Sequence, residues 1–174
     1  MPDRSTPDRV ADSDLELVHA IRELTVALDL EGAAFAAERA MHPTDVRALI
    51  ALLDREREGG VATPGWLGDR LRLNSASVTA LVDRMSARRE GVGPLVERHR
   101  DPVDRRRVIL RVTDDARAMG WEFFGPLIGR VMGVVADLSV EHRQVVRAFL
   151  REVTEAVRTE PGDDRHLPSQ RSDR

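Results

Sequence analysis

Apolar residues recur every three or four positions along most of this chain, and that spacing predicts helices. Leu15, Val18, Ile21, Leu24 and Leu28 make one stripe, with Asp12 or Ser13 as its cap, and the alanine-rich run EGAAFAAERAM can extend it. Thr44 is expected to cap a second helix that turns Val46, Leu49, Ile50 and Leu53 inward and stops at Gly59-Gly60. Thr63-Pro64 is a start signal for a short third helix carrying Trp66, Leu67 and Leu71. Asn74 or Ser75 opens a fourth, with Val78, Leu81, Val82 and Met85 on one face.

The period then shortens to two. Leu95–His99 and Val108–Val112 alternate like strands around a polar turn, which predicts a β-hairpin over residues 95–112. Thr113 or Asp114 restarts helix through DDARAMGWEFFGPLIGRVMGVVADL, where Pro126 should kink the helix after Gly125 or start a new segment. Ser139 caps a last helix built on Val146, Phe149, Leu150, Val153 and Val157. The predicted fold is mainly α with one small β-hairpin: a helix, three short helices, the hairpin and two longer helices. Residues 1–12 and 159–174 are polar and aperiodic, and are expected to be disordered tails.

Composition narrows the chemistry. Cysteine is absent, which removes disulfides, thiolate metal sites and thiol redox switching. No apolar run approaches the roughly 20 residues of a membrane span, and the N-terminus has no signal-peptide pattern, so a cytoplasmic protein is expected. The net charge is −3, yet residues 84–111 hold nine arginines against four acids, a local +5. A basic stripe on an acidic body is the footprint of a polyanion-binding face.

That stripe surrounds a recognisable arrangement. TPGWLGDRLRLNSASVTALVDRMSARR reads as two short helices joined by a tight turn, a helix-turn-helix. Its second helix fits the major groove of B-DNA and can present N-terminal residues to base edges. With Val78, Leu81, Val82 and Met85 inward, Ala76, Ser77, Ala80, Asp83, Arg84 and Ala87 face outward. Ser75, Ala76, Ser77, Thr79 and Ala80 are the expected base-reading residues, and Arg84 and Arg88 the phosphate contacts. A hairpin directly after such a helix is a wing, and its arginine-rich tip suits the electronegative minor groove.

At this point the chain resembles the MarR family of winged helix-turn-helix regulators over about residues 13–158. The resemblance is carried by HPTDVRALIAL, SVTALVDRM and LVERHRDPVDRRRVILRVT, the last with the family's Asp-x-Arg wing signature at Asp104-Arg105-Arg106. It implies a homodimer joined by the first and last two helices, about residues 13–40 and 114–158. A DNA-binding core over about 43–113 would then grip a palindromic operator. It further implies Arg106 in the minor groove, Asp104 bracing the wing, and an effector pocket between the dimerisation and DNA-binding regions. Arg105 and Arg107 would meet phosphates. Two departures stand out. RREGVGPLVER is longer than the family's usual helix-to-strand turn, and Ala80 occupies a place where a longer polar residue is common.

Other chemistry is sparse. The five histidines make no His-x-x-x-His pair, and neither a nucleophile elbow nor a phosphate-cradling glycine loop is present. No metal, cofactor or enzymatic activity is expected. Gly125, Gly129 and Gly133 lie four apart, which suits a close helix crossing within a dimer as well as an irregular helix. His19, Arg22, Phe35, Trp121 and Phe124 could line a pocket for a small aromatic or anionic effector, although plain core packing is the leading explanation of the aromatics. The expected function is a homodimeric repressor of operator DNA, released by a small ligand. The alternative is a helical dimerisation module that binds protein and no DNA.

Overall fold

The computed structural model describes residues 12–87 and 93–158. Within them the elements follow the predicted order: α1 (Asp12–Glu38), α2 (Pro43–Arg57), α3 (Pro64–Leu71), α4 (Ser75–Ser86), β1 (Val96–Arg100), β2 (Val108–Val112), α5 (Asp114–Ala136) and α6 (Val140–Arg158). The expected tails lie outside the described residues, save that Asp12 opens α1. The chain divides into two compact units, and the division falls inside α5 after Phe123.

Local chemistry sets most of the boundaries in the first unit. Thr63 and Asn74 are the N-caps of α3 and α4, their side chains accepting from the N–H groups of Trp66 and Ser77. The start of α2 differs from expectation: its N-cap is His42, not Thr44. Pro43 takes the first helical position, where its missing N–H costs nothing. His42 Nδ1 then accepts from the Thr44 N–H at 3.2 Å, and Asp45 Oδ2 accepts from the His42 N–H at 3.3 Å. The helix ends as predicted, with Gly59 in the left-handed region at φ 70°.

The core lies where α2, α3, α4 and the hairpin meet. Leu49, Leu52, Leu67, Val78, Leu81, Val82, Met85, Leu95, Val96, Leu110 and Val112 are all buried. The α3–α4 crossing is close at Gly68, where an added Cβ would sit 2.9 Å from Val78 Cγ2 and 3.2 Å from the Leu73 carbonyl oxygen. Phe35, near the end of α1, is fully buried and tilts against Phe123 with ring centroids 4.9 Å apart. Most of α1 before it is exposed, including Leu15, Val18, Leu24 and Leu28.

The hairpin starts one residue later than predicted, pairing Val96 with Val112 and Arg100 with Val108. Leu95 is instead spent on tying the hairpin to α4, its N–H donating to the Met85 carbonyl at 2.8 Å. On the far edge, Leu110 N–H donates to the Ala62 carbonyl at 2.9 Å, so the α2–α3 linker guards β2.

In the second unit, Ser139 caps α6 as expected, its Oγ accepting from the His142 N–H at 3.2 Å. No residue of α6 is buried. Pro126 lies inside α5, which continues from Asp114 to Ala136 as one helix rather than starting afresh. Among the described residues no helix is long and apolar enough to cross a membrane.

Candidate nucleic-acid interface

The outer face of α4 is made of small side chains. Val78, Leu81, Val82 and Met85 face the core, which leaves Ala76, Thr79, Ala80 and Asp83 along the opposite ridge, with Ser75 and Ser77 beside it. Asn74 Oδ1 accepts from the Ser77 N–H at 2.9 Å, fixing the exposed end of the helix. The Thr79 hydroxyl donates to the Ser75 carbonyl at 2.9 Å.

Arg84 does not stand free for phosphate as the helical wheel suggested. Its Nε donates to both carboxylate oxygens of Asp45, at 2.9 and 3.1 Å, while Nη2 donates to Oδ1. Asp45 is fully buried at the start of α2. A buried carboxylate needs a counter-charge, so it draws in the nearest guanidinium. The hydrogen bond to Asp45 raises the Arg84 pKa further, outweighing the opposing effect of burial. Arg84 is thus a clasp between α2 and α4. Arg88 lies outside the described residues, as do residues 89–92 of the lengthened turn.

The wing tip is a loop over residues 101–107, closed by the Asp101 N–H donating to the Arg107 carbonyl at 3.0 Å. Asp104 Oδ1 accepts from the Arg106 N–H at 3.0 Å, and its carbonyl from the Arg107 N–H at 2.9 Å. Arg105, Arg106 and Arg107 are exposed. Arg107 leans back, with Nη1 3.6 Å from Asp101 Oδ2. Asp101 escaped the sequence reading although it does more than Asp104. It is only 7% exposed, and its Oδ1 accepts from the N–H groups of Val103 and Asp104 at 2.8 and 3.4 Å. The Asp-Pro pair DPVD carried that turn signal in the sequence.

Two further polar links fix the wing, and neither was visible in the sequence. Arg98 of β1 is hydrogen-bonded to Asp83, which ties the strand to the outer ridge of α4 and offsets the one acid there. At the wing's base, Glu56 of α2 accepts from the Val112 N–H at 3.2 Å and from Arg117 Nη2 at 2.5 Å. Arg117 Nη1 also donates to the Val112 carbonyl at 2.7 Å and to Asp114 Oδ1 at 3.0 Å.

This order of helices and hairpin has counterparts among known proteins. Over 156 residues the chain is 29% identical to the uncharacterized HTH-type transcriptional regulator YcgE of Bacillus subtilis (strain 168), covering 90% of this chain and 96% of that protein. It is similar to the solved structure of a MarR family protein from Bacillus stearothermophilus, with 26% identity, a TM-score of 0.58, and coverage of 85% of this chain and 97% of that one. The chain has a winged helix-turn-helix fold like that of this MarR family protein. The S. aureus MepR–DNA complex shares the fold at a TM-score of 0.55 and 15% identity, over 80% of this chain and 95% of that one. No protein-family model matches the chain.

Of the suggested effector residues, His19 and Arg22 line one shallow pocket along the exposed part of α1. Phe35 is fully buried against Phe123, and Trp121 is 67% exposed. Phe124 belongs to the second unit. A cleft of about 440 Å³ lies elsewhere, between α1 and α2, lined by Thr25, Leu28, Gly32, Val46 and Ile50 with the Arg47–Asp29 ion pair at its edge.

Proposed function

We propose that this protein is a DNA-binding transcriptional regulator that grips a palindromic operator as a homodimer, and represses until a small ligand releases it. The observation that carries this reading is the exposed Arg105–Arg107 tip, held by Asp101 and Asp104, on the hairpin that Arg98 ties to the small-residue face of α4. Ser75, Ala76, Ser77, Thr79 and Ala80 face the major groove, Arg106 enters the minor groove, and Arg105 and Arg107 meet phosphates. Support for the homodimer comes from exposed apolar residues on α1, α5 and α6, among them Leu24, Val131 and Leu150. Two recognition helices in that dimer would sit about 34–36 Å apart, one turn of DNA. The α1–α2 cleft is large enough for a small aromatic or anionic ligand.

A gel-shift titration at several salt concentrations tests the reading. Arg106→Ala should cost on the order of 1–3 kcal/mol of operator affinity and lower the salt slope by about one contact. Asp104→Ala should also weaken binding, because the loop loses the carboxylate that accepts from the Arg106 N–H. A merely solvated charge run predicts the opposite sign for Asp104→Ala, since an acid leaves the DNA face.

A further inference from the structure

We propose that α4 selects its operator by the 5-methyl groups of thymine, through Ala76, Thr79 and Ala80, rather than by hydrogen bonds to purines. This rests on the DNA-binding reading above and adds to it the class of sequence that is read. Guanine is read in the major groove by Arg or Lys, and adenine by Asn or Gln, because those side chains offer paired hydrogen bonds. Among the described residues of α4 no such side chain projects outward. Arg84 is held by buried Asp45, and Asn74 Oδ1 caps the helix. Asp83, which could accept from cytosine, is held by Arg98.

What remains on the ridge is apolar and short. Ala76 and Ala80, one turn apart, sit opposite the buried Val78, Leu81, Val82 and Met85. Thr79, beside them, commits its hydroxyl to a hydrogen bond with the Ser75 carbonyl and keeps its methyl group. Three methyl-bearing side chains on one ridge let the helix backbone come close and meet the thymine methyl, the one apolar group in the major groove. Ser75 and Ser77 can bond to any base and discriminate little.

The test uses the full chain. Duplexes are first enriched from a random library, and the tightest is then remade with deoxyuridine in place of thymine inside each half-site. This change removes only the methyl groups and leaves base pairing and the minor groove intact. Binding should weaken roughly fourfold for each contacted methyl, the effect of about 0.8 kcal/mol per buried carbon. Thr79→Ser should lose that dependence at one position, while Thr79→Val keeps it. Ala80→Arg should shift the selected base there toward guanine. Equal affinity for the thymine and deoxyuridine duplexes would overturn this inference and leave DNA binding intact. Failure to enrich any duplex would overturn the DNA-binding reading itself.

Discussion

Helices α4 and α6 are patterned alike and end up differently. Both carry apolar residues at helical spacing, yet α4 buries Val78, Leu81, Val82 and Met85 to 4% exposure or less. In α6, Val145, Phe149 and Leu150 stay exposed. Periodicity states which face needs cover and is silent on what supplies it. For α4 the cover comes from the same chain, and polar clasps from Asp45 and Arg98 complete it. For α6 the proposed cover is a second copy. One region is therefore a self-sufficient body, while the other is proposed to depend on assembly.

Substitutions can break that contrast. Leu81→Ala, at a site 1% exposed, should cost about 2–5 kcal/mol in chemical denaturation, independent of protein concentration. Phe149→Ala should leave that intrinsic stability nearly unchanged and raise the concentration at which the dimer dissociates, read by light scattering. Equal, concentration-independent losses at both sites would erase the distinction.

The Asp45–Arg84 clasp sharpens it next. Arg84→Ala strands a fully buried carboxylate and should cost about 2–4 kcal/mol, below the usual range for buried pairs because Arg84 is partly open to water. Asp45→Ala lets the arginine turn to solvent and should cost less, about 1–2 kcal/mol. A thermal melt of both variants gives the order, and the reverse order would mean that the carboxylate finds water.

Asp101→Ala should cost about 1 kcal/mol of stability, since a turn is lost and the core is untouched. Asp101→Asn keeps the accepting oxygen and should recover most of it. The smallest effect is expected in α6. The Glu141 pKa is lowered, first by its own backbone N–H and then by the Ser139 hydroxyl. Because the folded value lies below the unfolded one, this stabilisation is present above the ordinary Glu pKa of about 4.3 and fades as pH falls through the folded value. Helicity measured from pH 6 down to 3 should show the loss, and Glu141→Gln should flatten it.

Legibility in the sequence followed the range of each interaction. The caps Thr63, Asn74 and Ser139 act within three residues, and all three were evident in the pattern. His42 was missed because the Thr at position 44 looked like the better cap, although Pro43 already marked the first helical turn. The hairpin was placed to within one residue, since alternation fixes which side faces in. The clasps were beyond reach. Asp45 and Arg84 lie 39 residues apart, and Glu56 and Arg117 lie 61 apart, so only the fold brings them together.

Gly68 has a consequence for anyone who would retarget this protein. With 2.9 Å to Val78 Cγ2 and 3.2 Å to a backbone oxygen, any side chain at its position forces a shift where the two helices cross. The ridge at positions 76, 79 and 80 is open to solvent and free to vary. A library built to change specificity should spend all its diversity on that ridge and keep the glycine unchanged, as the fulcrum on which every variant of the ridge is presented.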